Sequence, residues 1–248
     1  GRLHTAKQAI LSVVRSRRAG FTNISVDVMF SIPGQTIELW KKTLEEIIEL
    51  QPDHVSGYCL SIENDTRYYE MMKHNGLSFP DQEETADMYN YINEMLENVG
   101  LKRYEISNFA RPGWECKHNQ VYWNFIPYLG VGASAHSYDC TIRRWNIADP
   151  VTYIRRSFSG DDTTSGYEKI DARKHTLETI MLSLRIIHGL DLQRLETLNP
   201  ESKSAILEKI STLIDTGFLK KNDKGNIVLT TKGVLLADEI ILEIVSDM

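Results

Sequence analysis

The chain has 248 residues, of which 42% are hydrophobic and 25% are charged, and its formal net charge is −6. This length fits one large domain or a large and a small one, and the acidic balance argues against a general nucleic-acid binder. No apolar run approaches the ~18 residues of a membrane span. The cysteines Cys59, Cys116 and Cys140 stand far apart in the sequence, which favours a reducing compartment and hence the cytoplasm.

The first hundred residues alternate between strand and helix patterns. A helix is predicted at 5–18, at the start of a chain without an initiator Met, so we expect a segment to precede it. Strands are predicted at 23–30, 54–62 and 102–106, and helices at 36–50, 66–74 and 82–99. This alternation is the signature of parallel βαβ units. We therefore expect the three strands to run parallel in one curved sheet with helices on its outer face.

One carboxylate, Asp27, lies inside the apolar run of the first predicted strand. An ionised carboxylate in a buried strand is costly unless it is paired or hydrogen-bonded, so its presence indicates a functional residue. The period of two places Asp27 with Met29 on one face, and Val28 with Phe30 on the other. In a parallel α/β barrel, Asp27 would face the lumen, where barrel sites are built.

Past residue 108 the alternation stops. Residues 109–138 are rich in Gly, Asn, Trp and Tyr, and long loops in compact domains are usually functional. A short strand is predicted at 141–146 and a short helix at 151–158.

The last part of the chain has a different pattern. Helices predicted at 171–188, 201–216 and 231–245 surround a short hairpin with an Asp-Lys-Gly turn at 223–225. This order predicts a small winged-helix-like α+β domain. Its last helix is acidic, whereas DNA binding needs Lys and Arg facing the phosphates, so we interpret the domain as a packing module.

Four motifs occur in a fixed order along the chain: DVMFSIPGQT at 27–36, YEISNFARPG at 104–113, ECKHNQVYW at 115–123 and YLGVGASAHSY at 128–138. In order and spacing they resemble the oxygen-independent coproporphyrinogen III oxidase family of radical S-adenosylmethionine (SAM) proteins. The His-Asn-x-x-Tyr-Trp block at 118–123 is similar to the haem-chaperone branch, HemW. The resemblance implies an α/β fold, with the C-terminal part of a partial (β/α) barrel of radical SAM type at 1–165 and the winged-helix-like domain at 166–248.

The resemblance also implies cofactors. The family binds a [4Fe–4S] cluster through Cys-x-x-x-Cys-x-x-Cys, and SAM chelates the open iron. That triplet does not occur in this sequence, so no metal ligand is predicted here, and the cluster is expected only in a full-length protein. The family positions imply that Asp27 and Arg2 bind SAM, and that Ser61 and His136 line the pocket. Arg2 could equally be a frayed terminal side chain.

The block at 118–123 has two interpretations. If it is helical, His118 lies over Tyr122 and Asn119 over Trp123, and the imidazole and aromatic rings would suit haem. Alternatively, His118 and Asn119 satisfy buried loop backbone while Trp123 packs in the core. His136 is a second candidate for haem contact.

Glu105 is a further candidate in the third predicted strand. It could hydrogen-bond a cofactor or substrate, or it could close a salt bridge.

Three functions remain open at this stage. The first is a haem chaperone that binds haem and passes it to acceptor proteins. The second is an oxygen-independent coproporphyrinogen III oxidase that decarboxylates propionates with SAM, so the sequence leaves enzyme activity undecided. The third is a winged-helix regulatory or binding module. The expected partners are haem or porphyrin and haem-accepting proteins, without nucleic acid or a membrane span, and peripheral membrane association is compatible with this set.

Overall fold

The computed structural model describes residues 3–64, 66–198 and 203–246. The chain divides into two compact units, one ending at Glu115 and the other beginning at Cys116. The domain boundary expected from the sequence at 165/166 stays a prediction. In the described ranges, no helix combines the length and the apolar character needed to cross a membrane.

The first unit is a four-stranded sheet with helices. Its helices are α1 (Ala6–Arg18), α2 (Ile37–Glu49), α3 (Arg67–Asn75) and α4 (Gln82–Asn98), and its strands are β1 (Ser25–Phe30), β2 (His54–Cys59), β3 (Lys102–Arg103) and β4 (Asn108–Ala110). The strand order is β1-β2-β4-β3. β1 and β2 are parallel, and β4 is antiparallel to both β2 and β3.

The three strands predicted from the sequence therefore share one sheet and one direction, as expected. Two details differ. The third strand is only two residues long, and β4, which the sequence pattern places in a loop, lies between it and β2. Three residues are too few to show a period of two, so only pairing with β2 makes β4 a strand.

The core of the first unit lies on one face of the sheet. Val28 and Phe30 are buried there, and the ring centroids of Phe30 and Trp40 of α2 are 5.6 Å apart. The Trp40 indole Nε1–H donates to the carbonyl of Met88 in α4 at 2.9 Å. Leu39, also in α2, is exposed. On the opposite face, Asp27 and Met29 of β1 are exposed, whereas His54 and Ser56 of β2 are buried.

The second unit contains two small sheets. Its helices are α5 (Lys117–Trp123), α6 (Pro150–Ser159), α7 (Ala172–Ser183), α8 (Leu192–Leu198), α9 (Lys203–Asp215), α10 (Thr231–Val234) and α11 (Ala237–Val245), and its strands are β5 (His136–Tyr138), β6 (Ile142–Asn146), β7 (Thr164–Lys169), β8 (Leu219–Lys221) and β9 (Ile227–Leu229). β5, β6 and β7 form an antiparallel sheet, and β8 and β9 form a hairpin. The strand and helix predicted at 141–146 and 151–158 correspond to β6 and α6.

The end of the chain has the helix and hairpin order of a winged-helix-like domain. Leu190 bridges to Ile227 and so extends the β8–β9 hairpin by one pair. The single helix predicted at 231–245 is interrupted between α10 and α11, and α8 was not predicted. The interruption follows Gly233, where a Cβ would lie 2.1 Å from the carbonyl oxygen of Phe218, so this backbone is held close to its neighbour.

Candidate functional site

Asp27 lies in the middle of β1 on the face of the sheet opposite the core. The parallel register pairs Asp27 with Ser56, and Ser56 in turn pairs with Asn108 of β4. Residues paired in this way share a face, so a polar row crosses three strands. Asp27 is exposed rather than buried, so the desolvation argument from the sequence does not apply to it, although its predicted face is confirmed.

His54 lies on the same face of the sheet, as the register partner of Ser25. Ser25 Oγ lies 2.8 Å from its Nδ1, and Tyr104 Oη lies 2.8 Å from its Nε2. Burial lowers the pKa of His54, and the Asp27 carboxylate partly opposes that shift. A neutral imidazole offers one donor and one acceptor, which two hydroxyl partners can satisfy. The sequence pattern gave no signal for this role, because it depends on pairing between separate strands.

Glu105 is buried and accepts hydrogen bonds from the Ser107 backbone N–H at 3.2 Å and from the Asn108 side-chain amide. Burial raises the pKa of Glu105, and the bonds from Ser107 and Asn108 partly oppose the shift. Among the described residues, Glu105 forms no salt bridge, and Asn108 Oδ1 is buried without a hydrogen-bond partner. Glu105 therefore fixes the loop that leads into β4.

The other residues expected to bind SAM are placed as follows. Ser61 is exposed and follows β2, at the edge toward which the parallel strands β1 and β2 both run. Arg2 lies outside the described residues. The exposed carboxylate of Asp27 suits a cationic, hydrogen-bonding ligand such as SAM, whereas its register neighbours Ser56 and Asn108 are buried.

The described residues do not fit an iron–sulfur cluster. In the described ranges, no group of three His, Cys, Asp or Glu side chains is placed to hold a metal ion. Cys59 and Cys140 are exposed and Cys116 is half-buried, all three as free thiols.

The block at 118–123 lies in helix α5, which is the condition of its first interpretation. His118 is exposed, and its Nε2 lies 3.2 Å from the Tyr122 hydroxyl, with ring centroids 5.0 Å apart in an edge-on arrangement. The Tyr122 ring in turn lies 4.7 Å from that of Tyr128. His118 thus contacts an aromatic side chain, and it presents its imidazole at the surface.

His136 lies in β5 of the same unit and is exposed. It pairs with Trp145 of β6, and the two ring centroids are 5.7 Å apart. The backbone here is tightly packed, because a Cβ at Gly130 would lie 1.9 Å from the His136 carbonyl oxygen. The expected site residues therefore fall in two groups, with Asp27 and Ser61 in the first unit and His118 and His136 in the second.

Comparison with known proteins identifies relatives over nearly the whole chain. The heme chaperone HemW of Lactococcus lactis is 34% identical over 241 residues, which cover 97% of this chain and 63% of that protein. HemW of Bacillus subtilis is 33% identical over 244 residues with the same two shares. The mitochondrial radical S-adenosyl methionine domain-containing protein 1 of Danio rerio is 30% identical over 263 residues, covering 100% of this chain and 58% of that protein. The chain thus spans about three fifths of the length of these relatives.

The fold and the end of the chain point to the same family. The coproporphyrinogen III oxidase HemN of Escherichia coli, a radical SAM enzyme, matches with a TM-score of 0.75 and 18% identity, covering 100% of this chain and 60% of that one. At that identity the likeness shows the fold alone. The family model of the HemN C-terminal domain matches residues 170–236. The resemblance predicted from the four motifs is confirmed: in sequence this chain is similar to HemW heme chaperones, and in fold it is similar to the radical SAM enzyme HemN.

Proposed function

We propose that this protein is a haem chaperone of HemW type, which binds haem and passes it to acceptor proteins. One observation carries the proposal: α5 presents an exposed His118 edge-on to Tyr122, in a chain whose relatives at 33–34% identity are named heme chaperones. Imidazole is a common protein ligand of haem iron. The likeness to HemN supports the fold and does not favour propionate decarboxylation as the activity.

SAM binding forms a second part of the proposal. The exposed residues Asp27 and Ser61, together with Arg2, would hold SAM, and the full-length protein would also bind a [4Fe–4S] cluster. In this chain, Asp27 would accept hydrogen bonds from the ligand, and the neutral His54 would keep the neighbouring strand in place. We retain the cytoplasm as the proposed location.

Haem titration tests the proposal. We expect His118→Ala to weaken hemin binding by about tenfold and to shift the Soret band of the remaining complex, because an axial imidazole sets the ligand field of the iron. Tyr122→Phe is the matched control, since it keeps the ring beside His118 and removes only the hydroxyl. Transfer is followed as movement of the Soret signal from the loaded protein to an apo-haemoprotein.

His136→Ala is the competing variant. If both single variants and the double variant keep wild-type spectra and affinity, histidine ligation by these residues is wrong. An anaerobic assay of the full-length protein tests the alternative function. If coproporphyrinogen III loses propionates while SAM is turned over, the protein is an oxidase and the chaperone proposal is wrong.

A further inference from the structure

The sheet β5-β6-β7 in the second unit carries an open cavity of about 380 Å³. Its lining includes Tyr128, Leu129, Ile142 and Arg144. That volume falls within the range of about 300–1,000 Å³ that is usual for small-molecule sites. None of these residues was a candidate in the sequence.

The register places Ile142 and Arg144 of the cavity lining on one face of the sheet. Arg144 pairs with Tyr167, and Ile142 pairs with Lys169, so these four side chains share a face. The alternate residue Arg143 points the other way and binds Glu178 of α7 at 2.5 Å, which places α7 on the opposite face. The cavity face is left open: Tyr167 is 64% exposed and Leu129 is 74% exposed.

The charges on this face are available to a ligand. Arg144 interacts electrostatically with Asp162 and with Asp139, which also lines the cavity, but both carboxylates already accept backbone N–H bonds, including those of Ile142 and Thr164. In the ranges that the structure describes, no hydrogen bond of the Arg144 guanidinium is found. Lys169 stands diagonally across the strand pair from Arg144, a spacing within reach of a single ligand.

We propose that this cavity seats the porphyrin ring of haem, and that Arg144 and Lys169 hold its propionates. The inference rests on the proposed function and gives it a binding surface. Ile142, Leu129 and the Tyr128 ring of the lining supply apolar and aromatic contact for a flat ligand. Arg144 in the lining and Lys169, which lies next to the lining as the register partner of Ile142, match its two carboxylates. The cavity wall is continuous with the α5 block, because the Tyr128 ring contacts Tyr122. An open cleft of this kind leaves part of the ring accessible, as transfer requires.

Hemin and its dimethyl ester, in which the propionates are blocked, form the test. In the wild-type protein we expect hemin to bind about tenfold more tightly than the ester. We expect Arg144→Gln and Lys169→Gln each to lower the affinity for hemin about three- to tenfold. Both variants should leave the affinity for the ester and the Soret position unchanged. Lys220→Gln, which removes an exposed cation from β8, is the matched control and should bind both as the wild type does.

The outcomes separate the two claims. If the wild-type protein binds hemin but does not distinguish it from the ester, or if both variants bind hemin as the wild type does, the cavity assignment is wrong and the chaperone proposal stands. If the wild-type protein binds no hemin, both fail. A variant that loses hemin and ester equally has lost its fold rather than an anchor. In that case Arg144→Lys, which keeps the charge, is measured instead. If Arg144→Lys does not bind hemin more tightly than the ester, the cavity assignment is wrong.

Discussion

At the scale of single residues, the position of Asp27 predicts how its substitution changes the affinity for SAM. The side chain is exposed on the open face of β1, so its replacement does not disturb the core of the unit. Asp27→Asn in the full-length, cluster-loaded protein should lower the affinity for SAM by roughly tenfold or more, since hydrogen bonds to a charged group contribute about 1.5–3 kcal/mol. Calorimetry measures the affinity, with Met29→Leu on the same face as control. An affinity equal to that of the wild type would make Asp27 a structural residue only.

The raised pKa of Glu105 predicts how the free energy of unfolding depends on pH. Its pKa is raised by burial above the ordinary value of 4.5. The folded state therefore binds this proton more tightly than the unfolded state. The resulting stabilisation is fully present below pH 4.5, and it is lost as the pH rises through the folded pKa. Glu105→Gln removes the titration and keeps an acceptor for Ser107 N–H, so the stability of the variant relative to wild type should increase as the pH rises above 4.5.

Denaturant unfolding at several pH values measures this effect. Glu97→Gln is the control, because the pKa of Glu97 is lowered by its hydrogen bond with Lys102 and its contribution is lost as the pH falls. A stability difference between Glu105→Gln and wild type that does not change with pH would contradict the assigned ionisation.

At the scale of elements, the sequence predicts what local patterns determine. The start of α2 follows from Thr36, whose side chain accepts from the Leu39 N–H, and the faces of β1 follow from its period of two. In each case the signal lies within a few neighbouring residues.

Elements that depend on distant pairing could not be predicted. β4 exists because Asn108 pairs with Ser56, and the hydrogen bonds of His54 join residues from three separate segments. The same holds for the candidate sites. The face of Asp27 was predictable, whereas the juxtaposition of Arg144 and Lys169 requires the register of β6 with β7.

At the scale of the whole molecule, the exposed face of β1 has a physical consequence. Met29 is 42% exposed and its register partner Tyr58 is 41% exposed, so two large side chains of adjacent strands lie side by side on this face. In the part of the chain that the structure describes, β1 pairs on one side only, with β2. Contiguous apolar surface and unpaired strand edges both favour association between molecules.

We therefore expect the 248-residue chain, prepared alone, to self-associate through this face. Met29→Lys places a charge in the middle of the apolar surface, and it should shift the molecular mass measured by light scattering toward the monomer, because a charge buried between two copies is costly. Leu242→Lys, at a 66% exposed position in the other unit, is the matched control. A monodisperse monomer for the wild-type chain would refute the expectation. A shift with Leu242→Lys alone would assign the association to the second unit, since the open face of β1 would then contribute nothing to it.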